Sequence, residues 1–147
     1  KDRAKRSTFQ GIQADCYVIW LGHNDCSQQV AQGTTPTAYA ANLQTMIDLV
    51  MANSTRKGCV LLLSSGYPNL SQSPYNYSDY WAAAKSLALS NQHVAHLQIA
   101  NIWGKDYATG NANGLYSDSI HPSNKGYADI ARVLSDVLLS AGTQVIV

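Results

Sequence analysis

Two short clusters carry residue types that could do chemistry. The first is Asp118-Ser119-Ile120-His121-Pro122, which sets a carboxylate and an imidazole three residues apart. In a tight turn this spacing lets Asp118 hold one ring nitrogen of His121 while the other faces outward as a general base. Pro122 biases His121 toward extended backbone and suits the start of a helix. Together these are the orienter and the base of a Ser-His-Asp arrangement, although the spacing alone reads first as a loop histidine beside a solvated carboxylate. The second cluster is Gly22-His23-Asn24-Asp25. Gly22 permits a sharp turn. Asn24 offers a neutral amide donor of the kind that stabilises a developing oxyanion, and Asp25 can brace the loop through backbone N–H groups. Asn and Asp are ordinary turn formers, so this cluster by itself reads first as a turn.

Other candidates are weaker. His93 and His96 stand as H-x-x-H without a Glu or a third ligand nearby, so no metal site is expected. Ser64 and Ser65 close an apolar run and are the nearest thing to a nucleophile, whereas Ser117 and Ser119 read as hydrogen-bonding loop residues and Ser7 has no glycine elbow around it. His23 and Tyr67 are possible substrate contacts. Tyr67, Trp103, Tyr107 and Tyr116 fall in loops where aromatic faces could stack on sugars, with Trp103 equally placed for the core. Tyr75, Tyr77, Tyr80 and Trp81 form an aromatic group better suited to packing.

The elements that must position these residues alternate. Ala14 to Leu21 (ADCYVIWL) is a short β-branched and aromatic run that predicts a buried strand. A polar loop follows to about Thr35. Tyr39, Leu43, Met46, Ile47 and Val50 recur at helical spacing behind Pro36 and Thr37. Residues 58–65 (GCVLLLSS) predict a second strand, Ser78 caps a helix reaching about Asn91, and residues 94–102 predict a third strand. Residues 104–120 read as one long loop, and loops of that length are usually functional or disordered. A last helix runs from about Ser123 to Ser140, with Tyr127, Ile130, Ala131, Leu134, Val137 and Leu138 on one face and Gly142 at its cap. This β-α-β-α-β-α order predicts an α/β fold, a parallel sheet covered by helices on both faces. Both clusters then fall after strand ends, where open α/β sheets keep their sites. Three strands make a small sheet with its first strand at an edge, as in part of a larger doubly wound fold.

Composition narrows the function. The chain has 147 residues, enough for one domain, with 10 Lys+Arg against 9 Asp+Glu. Charged residues are 13%, about half the usual share, which argues against nucleic acid as a partner. The one basic cluster, Lys1, Arg3, Lys5 and Arg6, is short and terminal. No apolar run is long enough to span a membrane, and no signal peptide is recognisable. Cys16 and Cys59 lie in strand-like runs and are expected as buried free thiols, with Cys26 making the count odd. The polar, Asn-, Ser- and Tyr-rich composition suits a secreted protein or an extracellular particle.

Taken together, VIWLGHND after a strand and DSIHPSNKGY before the last helix resemble the SGNH (GDSL-like) hydrolase family over essentially the whole chain. The resemblance implies a three-layer αβα, flavodoxin-like fold of which this chain holds strands three to five of five, as the C-terminal part of a single domain. It implies that Asp118 and His121 belong to a Ser-His-Asp triad, that Asn24 donates to the oxyanion, and that Gly22 and Asp25 support the site. No metal or organic cofactor is implied. The family's G-D-S block, which carries the nucleophile, and its oxyanion glycine after the second strand are absent from this sequence. The expectation is therefore an esterase or carbohydrate O-deacetylase whose serine comes from an N-terminal companion segment or chain packed on Ala14 to Leu21. The rival expectation is a catalytically inactive module for carbohydrate binding or particle assembly.

Overall fold

The structure, a computed structural model, describes residues 13–54, 58–69, 72–104 and 106–142. The basic cluster and Ser7 lie outside them. The elements in chain order are β1 (Cys16–Trp20), α1 (His23–Ser27), α2 (Gln29–Gln32), α3 (Pro36–Asn53), β2 (Cys59–Ser64), α4 (Tyr77–Leu89), β3 (Val94–Gln98), α5 (Ala100–Trp103), α6 (Tyr107–Ala112) and α7 (Asn124–Gly142). They fall into two compact units, one carrying β1 through β3 and the other carrying Gly66–Leu70 and the chain from Ile99 onward.

The first unit is an α/β layer. Its three strands run parallel in the order β1-β2-β3. β2 is central, and four consecutive residues, Val60, Leu61, Leu62 and Leu63, are at most 3% exposed. A continuous apolar run is what a strand buried on both faces requires. Both crossovers step the same way along the sheet, so right-handed connections put α3 and α4 on one face, where they touch each other. Helix α3 starts as its sequence predicts: the Thr35 hydroxyl accepts from Ala38 N (3.1 Å) and Pro36 occupies the first turn. Its Leu43, Ile47 and Val50 are buried at the spacing of one helical face. Helix α4 starts two residues earlier than the expected Ser78 cap. Asn76 Oδ1 accepts from Ser78 N (3.0 Å) while the Asp79 carboxylate accepts from Asn76 N (2.8 Å), and this reciprocal pair outcompetes a lone serine. Tyr77, Tyr80 and Trp81 are buried and pack as expected. Among the described residues β1 has a strand on one side only, and Val18 on it is 44% exposed.

The second unit is helical. Its core is Ile99, Ala100, Trp103, Leu115, Tyr116, Ile130 and Val133. Trp103, expected near a strand end, instead closes α5 and donates its indole N–H to Asp129 (2.9 Å). The third strand stops at Gln98 rather than continuing to 102, because Ile99 already has helical angles. Residues 104–120 are not one loop: Asp106 caps α6 by accepting from Thr109 N (2.8 Å). Similarly, the polar stretch before Thr35 forms α1 and α2. The inner face of α7 is rotated from the expected one. Gly126, Ile130 and Val133 are buried, whereas Tyr127 is 49% and Leu138 39% exposed. Gly126 faces inward because the Leu115 carbonyl approaches there, leaving no room for a side chain. Gly142 lies inside the helix as its last residue.

The cysteines depart from the expected burial. All three are free, but Cys59 is exposed, Cys16 half-buried and only Cys26 fully buried. Both Cys16 and Cys59 begin their strands, where the covering layer ends.

Candidate active site

The Asp118–His121 turn is held from several sides. Asp118 Oδ1 accepts from the backbone N–H of Ile120 and of His121, both at 2.8 Å, closing a tight Asx-type turn. Its other oxygen, Oδ2, lies 2.8 Å from His121 Nδ1. The ends of the turn are clamped. Ser117 donates its N–H (2.9 Å) and its hydroxyl (3.2 Å) to the His121 carbonyl. Tyr107 Oη donates to the Asp118 carbonyl (3.3 Å), and Asn69 N donates to the Ser119 carbonyl (2.7 Å). Pro122 pairs with Tyr116 in an antiparallel bridge, and Ser123 then caps α7 by accepting from Gly126 N (3.1 Å).

The electrostatics follow from this geometry. The backbone N–H groups of His121 and Ile120, then the imidazole, bring the Asp118 carboxyl down from its ordinary 3.8 to about 2. Asp118 is therefore a carboxylate at neutral pH and can only accept. The proton of the neutral ring is thus assigned to Nδ1, and Nε2 presents its lone pair. The His121 side chain is 62% exposed, so Nε2 is open to a reacting group.

A depressed carboxyl stabilises the fold above its unfolded value, and that stabilisation is lost as pH falls through the folded value. For Asp118 the contribution is complete above about pH 4 and disappears toward about pH 2. Urea midpoints measured across this range should fall less steeply for Asp118→Asn than for the native chain. Identical slopes would show that the turn's hydrogen bonds are not formed in solution.

The second cluster is not a loop but the start of a helix. Gly22 sits at φ 112 and ends β1 into α1. A Cβ at Gly22 would lie 2.7 Å from the Tyr39 hydroxyl oxygen, which donates to the Leu21 carbonyl at 3.2 Å. Gly22→Ala therefore combines left-handed strain with displacement of Tyr39, and should cost about 1–3 kcal/mol. A chemical-denaturation midpoint unchanged from the native chain would show that the turn is shaped otherwise. Asn24 is exposed on α1, and its carbonyl accepts from Gln28 N (3.0 Å). Asp25 is half-buried, which pushes its carboxyl up, while its own backbone N–H partly offsets this. His23 stacks on Tyr77 with ring centroids 5.1 Å apart.

Asp118 and His121 are thus brought into contact in one unit, while Gly22, His23, Asn24 and Asp25 share one turn of the other. Tyr67 is half-buried beside Gly66, in the strand of chain that Asn69 ties to the Asp118–His121 turn. Two expected sugar-stacking faces are not available: Trp103 and Tyr116 are 3% and 8% exposed and pack edge to face. Ser64 is also removed as a nucleophile. It is 2% exposed and bonded to His96 Nε2 at 2.8 Å. His96, with its pKa lowered by burial and then by nearby Lys85, is neutral at pH 7. Among the described residues no three metal-ligating side chains cluster, and no helix is long and apolar enough to cross a membrane. The clamps by Tyr107 and Asn69 were not foreseen, since neither is local in sequence to the turn.

Residues 2–128 match the profile of the GDSL-like lipase/acylhydrolase family. No curated protein matches the chain significantly. With most of its length matched to that profile, the chain belongs to the GDSL-like lipase/acylhydrolase family.

Proposed function

We propose that this chain supplies the base, its orienter and an oxyanion donor to a serine hydrolase of carboxylic esters, within a flavodoxin-like αβα domain whose last three strands are β1 to β3. The observation that carries this reading is the 2.8 Å contact of Asp118 Oδ2 with His121 Nδ1, with the rest of the imidazole exposed. The nucleophilic serine comes from a segment or companion chain that pairs along β1. Among the described residues β1 is paired on one side only, and that together with the exposure of Val18 favours such a neighbour.

In the proposed reaction His121 Nε2 takes the serine proton as Oγ attacks the acyl carbonyl. Asp118 stabilises the imidazolium and fixes its orientation. The Asn24 amide and backbone N–H groups donate to the tetrahedral oxyanion. The intermediate collapses as His121 protonates the leaving alkoxide. Water, deprotonated by the same nitrogen, then attacks the acyl-serine and releases the acid. Asn24→Ala should lower kcat by about 10²–10³ with little change in KM, the usual loss for one oxyanion donor. A change in KM alone would make Asn24 a binding residue.

Acetyl esters on carbohydrate are the substrate class to test first. Tyr67 and Tyr107 are half-buried and belong to the segments tied to the Asp118–His121 turn, where aromatic faces can meet sugar rings. The test is acetate release from O-acetylated oligosaccharides compared with p-nitrophenyl acetate, using the chain with its companion. Release from both supports the assignment, and release from the aryl ester alone overturns the carbohydrate part. Binding of the oligosaccharide without any turnover would favour the inactive module.

A further inference from the structure

We propose that Cys16 and Cys59 form a thiol pair that closes to a disulfide between β1 and β2 by exchange with a small-molecule disulfide. The two residues are register partners at the first position of adjacent parallel strands, so their side chains leave the same face of the sheet side by side. Adjacent strands lie about 4.8 Å apart, within the Cα separation a disulfide spans. The backbones are held close there. Cys59 N donates to the Asp15 carbonyl at 3.0 Å, and a Cβ on the preceding Gly58 would lie 2.8 Å from the carbonyl oxygens of Ala14 and Asp15.

The two sulfurs differ in a way that sets the order of events. Cys59 is exposed and can meet a reagent, whereas Cys16 is half-buried. Burial, then the hydrogen bond and charge of Cys59, push the Cys16 thiol up to about 12. Cys59 as thiolate attacks one sulfur of the small disulfide, whose S–S bond breaks and releases one thiolate. In the resulting mixed disulfide the Cys59 sulfur carries neither charge nor proton, so the part of the Cys16 shift due to the Cys59 thiol is removed. Cys16 then gives its proton to solvent, and its sulfur attacks the Cys59 sulfur and expels the second thiolate. Two protein thiols lose two electrons, and the small disulfide becomes two thiols. Cys26 takes no part. It is fully buried, and burial pushes its thiol up to about 11.

The test is incubation of the folded full chain with oxidised glutathione, followed by intact mass, thiol counting and peptide mapping. The expected product is a monomer lighter by two hydrogen atoms, with a peptide cross-link joining Cys16 to Cys59 and Cys26 still free. Cys16→Ser should trap a stable glutathione adduct on Cys59. Cys59→Ser should react at least about tenfold more slowly than the native chain. A stable adduct on native Cys59 with Cys16 still alkylatable would overturn the proposal, as would a dimer linked through Cys59 or no reaction at all.

Discussion

His121→Ala should lower kcat for ester hydrolysis by about 10⁴-fold or more while leaving the fold intact. The magnitude is that of losing the base from a Ser-His-Asp unit. Asp118→Asn should cost about 10⁴, since an amide cannot stabilise the imidazolium and favours the wrong tautomer. The double variant should be scarcely worse than His121→Ala, as the two residues act as one unit. Both side chains are more than half exposed, so each variant should remain folded at neutral pH, with Asp118→Asn giving up the stability that its hydrogen-bonded carboxylate supplies. The comparison of kcat with circular dichroism for each variant checks this. A loss below about tenfold would remove His121 from the proton path.

The largest effect on the fold is expected at Gly126. By helix propensity alone Gly126→Ala should gain about 1 kcal/mol. Its new methyl would lie 2.2 Å from the Leu115 carbonyl oxygen and 3.0 Å from the Trp103 ring. That oxygen also accepts from Ser123 N at 2.9 Å, so it cannot retreat without breaking the bond that anchors the start of α7. The clash should win, with a net loss of about 3 kcal/mol. Gly33→Ala is the contrasting case: Gly33 sits at φ 63 with open space around it, so it carries the left-handed strain that helical Gly126 lacks and none of the clash, and should cost about 1–2 kcal/mol. Urea midpoints of the two variants at unchanged m-value decide the matter. A stabilised Gly126→Ala would mean that the 115–123 segment is free to move. Because this segment carries Asp118 and His121, the variant should also lose activity below its unfolding midpoint.

The strands and long helices were legible because burial on two faces demands unbroken apolar runs, as in Val60 to Leu63, and burial on one face demands helical spacing, as in Leu43, Ile47 and Val50. The departures have equally physical reasons. Helices α1, α2 and α6 are too short and polar to show a period, and the cap of α6, Asp106 accepting from Thr109 N, is a local feature inside a stretch that reads as loop. The apolar run after Val94 holds both a strand and a helix, and the spacing of Ile99 from Trp103 marked the change. The α7 face was misplaced because a glycine on the buried side has no hydrophobic signature. Cys59 was expected inside because strand-like runs do not reveal where a strand's cover ends.

At the site, the spacing of Asp118 and His121 allowed the contact but read first as a loop histidine beside a solvated carboxylate; what the spacing did not reveal is the Asx turn, in which the carboxylate binds the backbone N–H groups two and three residues on and brings the imidazole within reach. The clamps from Tyr107 and Asn69 come from distant segments, and no spacing rule reports them.

The most direct test is labelling of the chain and its companion with a fluorophosphonate serine probe, read by intact mass and repeated with His121→Ala. The account predicts one label on a serine outside these 147 residues, formed more slowly by about 10³-fold or more in the variant. A label on a serine of this chain, or a labelling rate indifferent to His121, would contradict it.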